Sequence, residues 1–441
     1  MRIVQLTPGA GGMFCGACLR DNALVKALRQ AGHSVTLLPL YLPLKTDEPD
    51  ESRGAPVFFG GINVYLEQRF PVFQHLPAWL RRWLDSPKLL RLVGTRAAQT
   101  RPDQVGDLTV SMLRGETGNQ AREIDELIAW LRDHERPDII CLSNGLLAGM
   151  IRRLKRELGV AVVGTLQGED AFVDALAPNH REEAWRLLSE RLAEADGLVA
   201  ASRYYADQMA RRLGFASDRI AVVPNGLSLE GWKVAETRPQ PPVLGYFARM
   251  CTDKGLDRLV DAYLLIRRSG RVPGLRLAVG GGLSPSDQPL VDALQAKLRS
   301  AGVWGDCEFR PNLTHAEKQE FLRGLSVLSV PAHYGEAFGL YLIEAMAAGV
   351  PWVQPATGAF PEIAEASGGG LLCRANDSAA LAEEIVKVVE DSALAARLGQ
   401  AGRASVERLY HAGEAARRLI GVFDGVLSGR RSGRGSSQIP G

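Results

Sequence analysis

The sequence predicts an α/β chain made of two doubly wound, parallel-sheet domains in tandem. Three observations predict it. Short apolar runs alternate with longer amphipathic segments along most of the chain, the pattern of buried strands joined by crossover helices. The alternation stops at a proline-rich break and then restarts in the same form. Finally, 441 residues that are 46% hydrophobic and 23% charged suit a globular chain of two to three domains.

The elements follow in order. RIVQLTP (2–8) reads as the first strand, a glycine-containing loop follows, and ALVKALRQAG (23–32) reads as a helix. SVTLLPL (34–40) is the second strand. Residues 41–120, rich in aromatics, prolines and arginines, then depart from the pattern as a long insertion. Strands resume at PDIICLS (137–143), VAVVGTL (160–166), GLVAAS (197–202) and RIAVVPNG (219–226), with the helix EEAWRLLSERLAEA (182–195) among them. The run from Glu236 to Pro242 carries prolines at 239, 241 and 242, which exclude a helix and stiffen a connection. It reads as an interdomain linker, so the expected domains are 1–238 and 239–411. In the second half, VLGYFARM (243–250), LRLAVGGG (275–282), CEFRPNL (307–313), SVLSVPA (326–332), PWVQPA (351–356) and GGLLC (369–373) are strands with helices between. AGEAARRLIGVFDGVL (412–427) reads as one amphipathic helix, and residues 428–441, rich in glycine, serine and arginine, are expected to be disordered. In such a chain the ligand is expected where the carboxyl ends of the two sheets face each other across a cleft.

Composition narrows the function. A net charge of +2, from 52 basic and 50 acidic residues, gives no reason to expect nucleic acid as a partner. No stretch reaches the roughly 18 to 20 apolar residues that span a bilayer. MRIVQLTPG enters a strand directly, without the apolar region and cleavage site of a secretory signal, so a cytoplasmic protein is expected. Six cysteines are too sparse for a disulfide framework, and Cys141, Cys251, Cys307 and Cys373 read as small apolar residues.

Two signals overlap at the start. Thr7 to Gly12 sits between the first strand and the first helix, where glycines let backbone N–H groups approach a phosphate; a plain tight turn is the competing reading. Cys15 and Cys18 sit at the first helical turn, which lowers a thiol pKa, so a redox pair competes there with simple packing. Zinc would need two further ligands, and neither a second CxxC nor paired histidines are visible.

The strongest stretch is PAHYGEAFGLYLIEAMAAGVPWVQPATGAFPEI (331–363). Glu336 lies in a loop after a strand and Glu344 lies eight residues on, inside a helix whose first N–H groups, at Phe338, Gly339 and Leu340, are free for an anion. Such a pair suits a nucleotide sugar: one carboxylate for sugar hydroxyls, one for ribose. In FARMCTDKG (247–255), Arg249 and Lys254 would lie near the carboxyl edge of the second sheet, where two cations suit a diphosphate.

These residues carry a family resemblance. GEAFGLYLIEAMAAGVP resembles the Glu-x7-Glu signature of the retaining nucleotide-sugar glycosyltransferases of family 4, the group 1 type, whose fold is GT-B: two Rossmann-like domains. FARMCTDKG resembles the family's Gly-Arg…Lys-Gly segment, with Ala248 where glycine is usual. VVPNGLSLEGW (222–232) resembles its Pro-Asn-Gly segment, with Ser228 where aspartate is common. TGAFPEI, PGAGG and AGHSVTLL also match, and the resemblance covers nearly the whole chain outside 41–120.

The resemblance implies a retaining glycosyltransferase that moves a sugar from a nucleotide-diphosphate sugar to an alcohol on a glycan, lipid or small molecule. Arg249 and Lys254 would neutralise the leaving diphosphate. Gly11 and Gly12, with the amides at Phe338, Gly339 and Leu340, would contact phosphates or donor sugar. Glu336 would hold donor-sugar hydroxyls and Glu344 the ribose, while Asn225 marks the Pro-Asn-Gly segment of the donor site. No metal or other cofactor is implied, because fixed cations do the charge work. The terminal helix would cross back onto the first domain. The sequence departs at TLQGEDAF (165–172), where Gln167 stands in place of a histidine common in relatives. Glu169 and Asp170 beside it are expected to compensate in part, as sugar or acceptor contacts.

The insertion loosely resembles the first domain of glycogen and starch synthases. Those enzymes carry Glu-Pro-Cys-Gly where this chain has Glu336-Ala337-Phe338-Gly339, so family 4 fits better. AWLRRWLD (78–85) joins tryptophans to arginines; a helical hairpin over the cleft is the preferred reading, and peripheral membrane contact through 78–94 the second. Trp79, Trp83 and Phe70 are candidates to stack on an acceptor. A nucleotide-sugar epimerase or a phosphorylase of the same fold is the runner-up enzyme, and a thiol protein built on Cys15 and Cys18 the alternative of another class.

Overall fold

The structure is a computed structural model that describes residues 1–9, 16–44, 49–52, 54–59 and 106–435. Gly11, Gly12, Cys15, Phe70, Trp79, Trp83 and the stretch 78–94 lie outside the described residues. The chain forms two compact units, Met1–Gly226 with the segment from Ala412 onward, and Leu227–His411.

The first unit holds β1 (Arg2–Thr7), β2 (Ser34–Pro39), β3 (Ile139–Leu142), β4 (Ala161–Leu166), β5 (Gly197–Ala200) and β6 (Ile220–Val222). All pair in parallel, in the order β2-β1-β3-β4-β5-β6. Its helices are α1 (Gly16–Gln30), α2 (Gly106–Arg114), α3 (Ala121–Trp130), α4 (Ile151–Leu158), α5 (Glu169–Asp174), α6 (Pro178–Ala193) and α7 (Arg203–Leu213). Every residue of β3 and β4 is buried, so these strands are covered on both faces, which is why they read as continuous apolar runs.

The second unit holds β7 (Val243–Phe247), β8 (Arg276–Gly281), β9 (Cys307–Pro311), β10 (Val327–Leu328), β11 (Trp352–Pro355) and β12 (Gly370–Cys373), again all parallel. Its helices are α8 (Leu256–Ser269), α9 (Gln288–Ser300), α10 (His315–Arg323), α11 (Leu340–Ala347), α12 (Phe360–Ser367), α13 (Ser378–Glu390) and α14 (Ser392–Ser405); α15 (Ala412–Gly435) returns to the first unit. The spatial order is β9-β8-β7-β10-β11-β12. The direction of winding reverses between β7 and β10, and in the first sheet between β1 and β3. Loops leaving the carboxyl ends of those strands diverge there and leave a crevice for ligands.

Each strand lies inside the stretch expected for it, but two expectations need correction. The proline-rich stretch at 236–242 is not the boundary, because the units divide earlier, after Gly226. Leu227 N donates to Tyr410 O at 2.8 Å, Trp232 is buried, and Arg238 Nη2 donates to Val388 O at 3.2 Å, so residues 227–242 are bound to the second unit. The C-terminal helix also does not stop at Leu427 but continues to Gly435. Arg430 anchors that extension, donating to Gly159 O at 3.3 Å and lying 3.7 Å from the Asp196 carboxylate. Ala412, Ala416, Leu419 and Phe423 of α15 join Ile3, Leu28 and Val163 in the core of the first unit, which makes the helix part of that domain.

Candidate active site

In the second unit the functional side chains sit on the two loops at the switch point. The chain leaves β7 through Ala248 and Arg249, makes a tight turn at Thr252–Lys254, and enters α8 through Gly255. The buried Tyr246 fixes the start of this loop, its hydroxyl donating to Arg249 O at 2.8 Å. The chain leaves β10 through Pro331 to Glu336 and enters α11 through Gly339. The two loops are bound together: His333 N donates to Asp253 O at 2.9 Å, and the His333 ring meets Asp257 at 2.9 Å.

This brings Lys254 and Glu336 into direct contact. Lys254 Nζ lies 2.6 Å from Glu336 Oε2 and 2.6 Å from Tyr334 Oη. Tyr341 donates to the same carboxylate oxygen at 3.1 Å. Side-chain exposure is 22% for Lys254 and 12% for Glu336, so the pair is largely out of water while remaining reachable from one side. Burial alone would push the ammonium pKa down, but the Glu336 charge and the Tyr334 hydroxyl outweigh it and hold Lys254 above its ordinary range. Burial, then the same carboxylate, pushes Tyr334 up to about 12. At neutral pH the cluster therefore keeps a cation and two neutral phenols gathered around the Glu336 carboxyl group.

Arg249 is more exposed and pairs through Nε with Asp287 Oδ2 at 2.9 Å, with Nη2 at 3.3 Å from Oδ1. Phe338 is buried against Tyr410, so only its backbone is offered to a ligand. Glu344 lies in the second turn of α11, its Oε1 2.9 Å from Lys318 Nζ. Asp287, Lys318, Tyr334 and Tyr341 were not singled out from the sequence. Asp287 and Lys318 lie far along the chain from their partners, and no local pattern marks them.

In the first unit, Asn225 Nδ2 donates to Gln167 Oε1 at 3.0 Å, joining the Pro-Asn-Gly segment to the loop after β4. Glu169 and Asp170, expected as sugar or acceptor contacts, face inward instead. Glu169 accepts from Gly145 N at 2.7 Å, from Gln167 N at 2.8 Å, from Gly168 N at 3.1 Å and from Tyr205 Oη at 3.0 Å. Asp170 holds Tyr205 at 2.9 Å, and both carboxylates are buried. Glu169 thus joins the loops that follow β3 and β4, while Gln167 stays half-buried beside Asn225. Glu169→Ala would leave several buried donors unsatisfied and is expected to destabilise the first unit by about 3 kcal/mol or more. Urea titration would show this as a lower midpoint with an unchanged slope. Cys18, the described member of the cysteine pair, is fully buried.

Two parallel doubly wound units, with Arg249, Lys254 and Glu336 on the switch-point loops of the second and Glu344 in the helix that follows, define a glycosyltransferase of the GT-B class. Family comparison agrees: residues 20–226 match the glycosyl transferase 4-like domain and residues 232–405 match the glycosyl transferases group 1. The chain belongs to the group 1, family 4 glycosyltransferases. A glycogen synthase of Mycobacterium tuberculosis is 29% identical over 277 residues, which are 61% of this chain and 64% of that protein. A D-inositol 3-phosphate glycosyltransferase of Streptomyces avermitilis is 32% identical over 240 residues, 51% of this chain and 52% of that one. The match thus spans between half and two thirds of these relatives' length. Among solved structures, Anabaena HepE in complex with UDP and glucose superposes with a TM-score of 0.66 at 16% identity, covering 96% of this chain and 99% of that one, and so shares the fold.

Proposed function

We propose that the protein transfers a sugar from a nucleoside-diphosphate sugar to an alcohol acceptor (glycan, lipid or small molecule) with retention of configuration. The observation that carries this reading is the Lys254–Glu336 pair, held by Tyr334 and Tyr341 on the two switch-point loops. On donor binding, Lys254 and Arg249 turn to the diphosphate and neutralise charge as it leaves. Glu336 accepts from hydroxyls of the donor sugar, and Glu344 accepts from the ribose. The amides at Phe338, Gly339 and Leu340 add partial positive charge near the phosphates. The acceptor hydroxyl attacks the anomeric carbon from the face the diphosphate leaves, and the departing phosphate oxygen takes its proton. No metal ion is assigned a part. The known complexes of HepE with UDP and with UDP-glucose support a uridine nucleotide as the first donor to test. The setting we propose is cytoplasmic, with residues 78–94 the segment for any peripheral contact with a membrane.

The test is calorimetric titration with UDP, ADP, GDP, TDP and their glucose conjugates. Binding of one nucleotide in the micromolar range is expected, weakened by about tenfold or more in both Glu344→Ala and Lys254→Ala, since each loses a charge-assisted contact. Absence of binding by every nucleotide would overturn the proposal.

A further inference from the structure

We infer that Lys318 is a positioning residue for Glu344, and that it sets the enzyme's discrimination between ribonucleotide and deoxyribonucleotide donors. The inference rests on the reading of Glu344 as the ribose-binding carboxylate.

The geometry assigns different duties to the two oxygens of Glu344. Oε1 is held by Lys318 Nζ at 2.9 Å, whereas no donor among the described residues reaches Oε2. Side-chain exposure is 7% for Lys318 and 13% for Glu344, so the carboxylate is drawn out of water with one oxygen fixed and the other left for a ligand. Burying a carboxyl group this far is costly without a partner, and its direction is fixed only if one oxygen is tied down. A ribose diol supplies the hydroxyl donors that such an oxygen accepts.

Lys318 is itself held firmly. Thr314 and Glu317 form a capping box at the start of α10: Thr314 N donates to Glu317 Oε2 at 2.8 Å, and Lys318 N donates to Thr314 O at 2.8 Å. The ammonium also lies 6.0 Å from the centre of the buried Trp232 ring, and Gln319 Nε2 donates to Glu230 O at 2.9 Å, binding the same helix to the segment that carries Trp232. The cation therefore reaches Glu344 from a capped helix with its base packed against an indole, a rigid support rather than a swinging surface lysine. A lysine in HAEKQEFLR would by default be read as part of a solvated helix face; its burial shows otherwise.

The experiment compares the nucleoside diphosphate that binds best among UDP, ADP and GDP with its 2′-deoxy and 3′-deoxy analogues, by calorimetry. The readout is the ratio of dissociation constants, which cancels any general weakening of the fold. Wild type is expected to prefer the ribonucleotide by about tenfold or more, the worth of a hydrogen bond to a charged group. Glu344→Gln and Lys318→Met are both expected to bring that ratio near one. The double variant Lys318→Met with Glu344→Gln removes both charges of the pair, so Glu344 is not left buried without its cation if the single Lys318 variant does not fold, and it should bind like Glu344→Gln alone. No preference in wild type, no binding by any of the three nucleotides, or a preference that survives Glu344→Gln would overturn the ribose reading and this inference with it. A preference lost in Glu344→Gln but kept in Lys318→Met would overturn the role of Lys318 alone. So would a double variant that binds about tenfold worse than Glu344→Gln, since Lys318 would then act on the ligand and not through Glu344.

Discussion

Lys254→Ala is expected to lower the rate of sugar transfer at saturating donor by about 10²- to 10³-fold, the loss typical of one preorganised charge-stabilising donor. The expectation is large because one ammonium has three partners to serve. It lies 2.6 Å from both Glu336 and Tyr334, so in the proposed reaction its removal would take a cation from the diphosphate and also release the carboxylate proposed to hold the sugar. A cation that stabilises charge developing on a leaving group acts more strongly in the transition state than in the bound donor, so kcat should fall more than KM rises. Lys254→Arg should rescue little of this. The space between a phenol and a carboxylate is shaped for a compact ammonium with three donors, and a planar guanidinium cannot keep both contacts. Thermal melting separates the catalytic effect from the structural one. Alanine leaves Glu336 without its counter-charge at 12% exposure and is expected to cost about 2 kcal/mol, which Lys254→Ala combined with Glu336→Gln should partly restore without restoring transfer. Steady-state kinetics of a folded Lys254→Ala protein within about threefold of wild type would remove Lys254 from the reaction.

The fold was legible because its signal is repeated. Parallel strands buried on both faces, such as β3 and β4, show as unbroken apolar runs, and each lay inside its expected stretch. The ends of the domains were less legible because prolines mark a stiff stretch of chain without saying which unit it packs on. Here Leu227, Trp232 and Arg238 make that choice through Tyr410, Arg403 and Val388, partners more than 100 residues away. The end of α15 was missed for a similar reason, since the partners of Arg430 are Gly159 and Asp196. Within the site, residues borne by two short motifs could be read, because each motif occupies a single loop and helix start. Their supports could not. Glu169 gave no sign that its carboxylate would be used up by backbone amides, and Lys318 gave no sign of burial. Electrostatic partners are chosen by tertiary packing, and the sequence carries no local periodicity for that choice.

The glycine that follows Lys254 shows why the motif needs that residue there. Gly255 has φ of +72°, a left-handed conformation that costs a residue with a Cβ about 1–2 kcal/mol, and a Cβ on it would lie 1.9 Å from the carbonyl oxygen of Pro331. Pro331 begins the loop that carries Tyr334 and Glu336. The close approach of backbone at Gly255 is therefore what lets the two loops lie together with Lys254 against Glu336. Gly255→Ala is expected to force them apart, costing about 3–5 kcal/mol in the second unit from backbone strain and overpacking together. For a domain of this size that lowers its melting temperature by roughly 6–20 °C. The folded remainder should also lose transfer activity, because the pair it separates is the one proposed to do the chemistry. Gly270→Ala, at the other end of α8, is the matched control: its φ is +68°, yet a Cβ there meets nothing within 4 Å. It should lose only the strain, about 1–2 kcal/mol, and retain activity. Equal melting temperatures for the two variants would show that the contact with Pro331 relaxes without cost. A Gly255→Ala protein that melts early but transfers sugar normally would show that the two loops need not touch for catalysis.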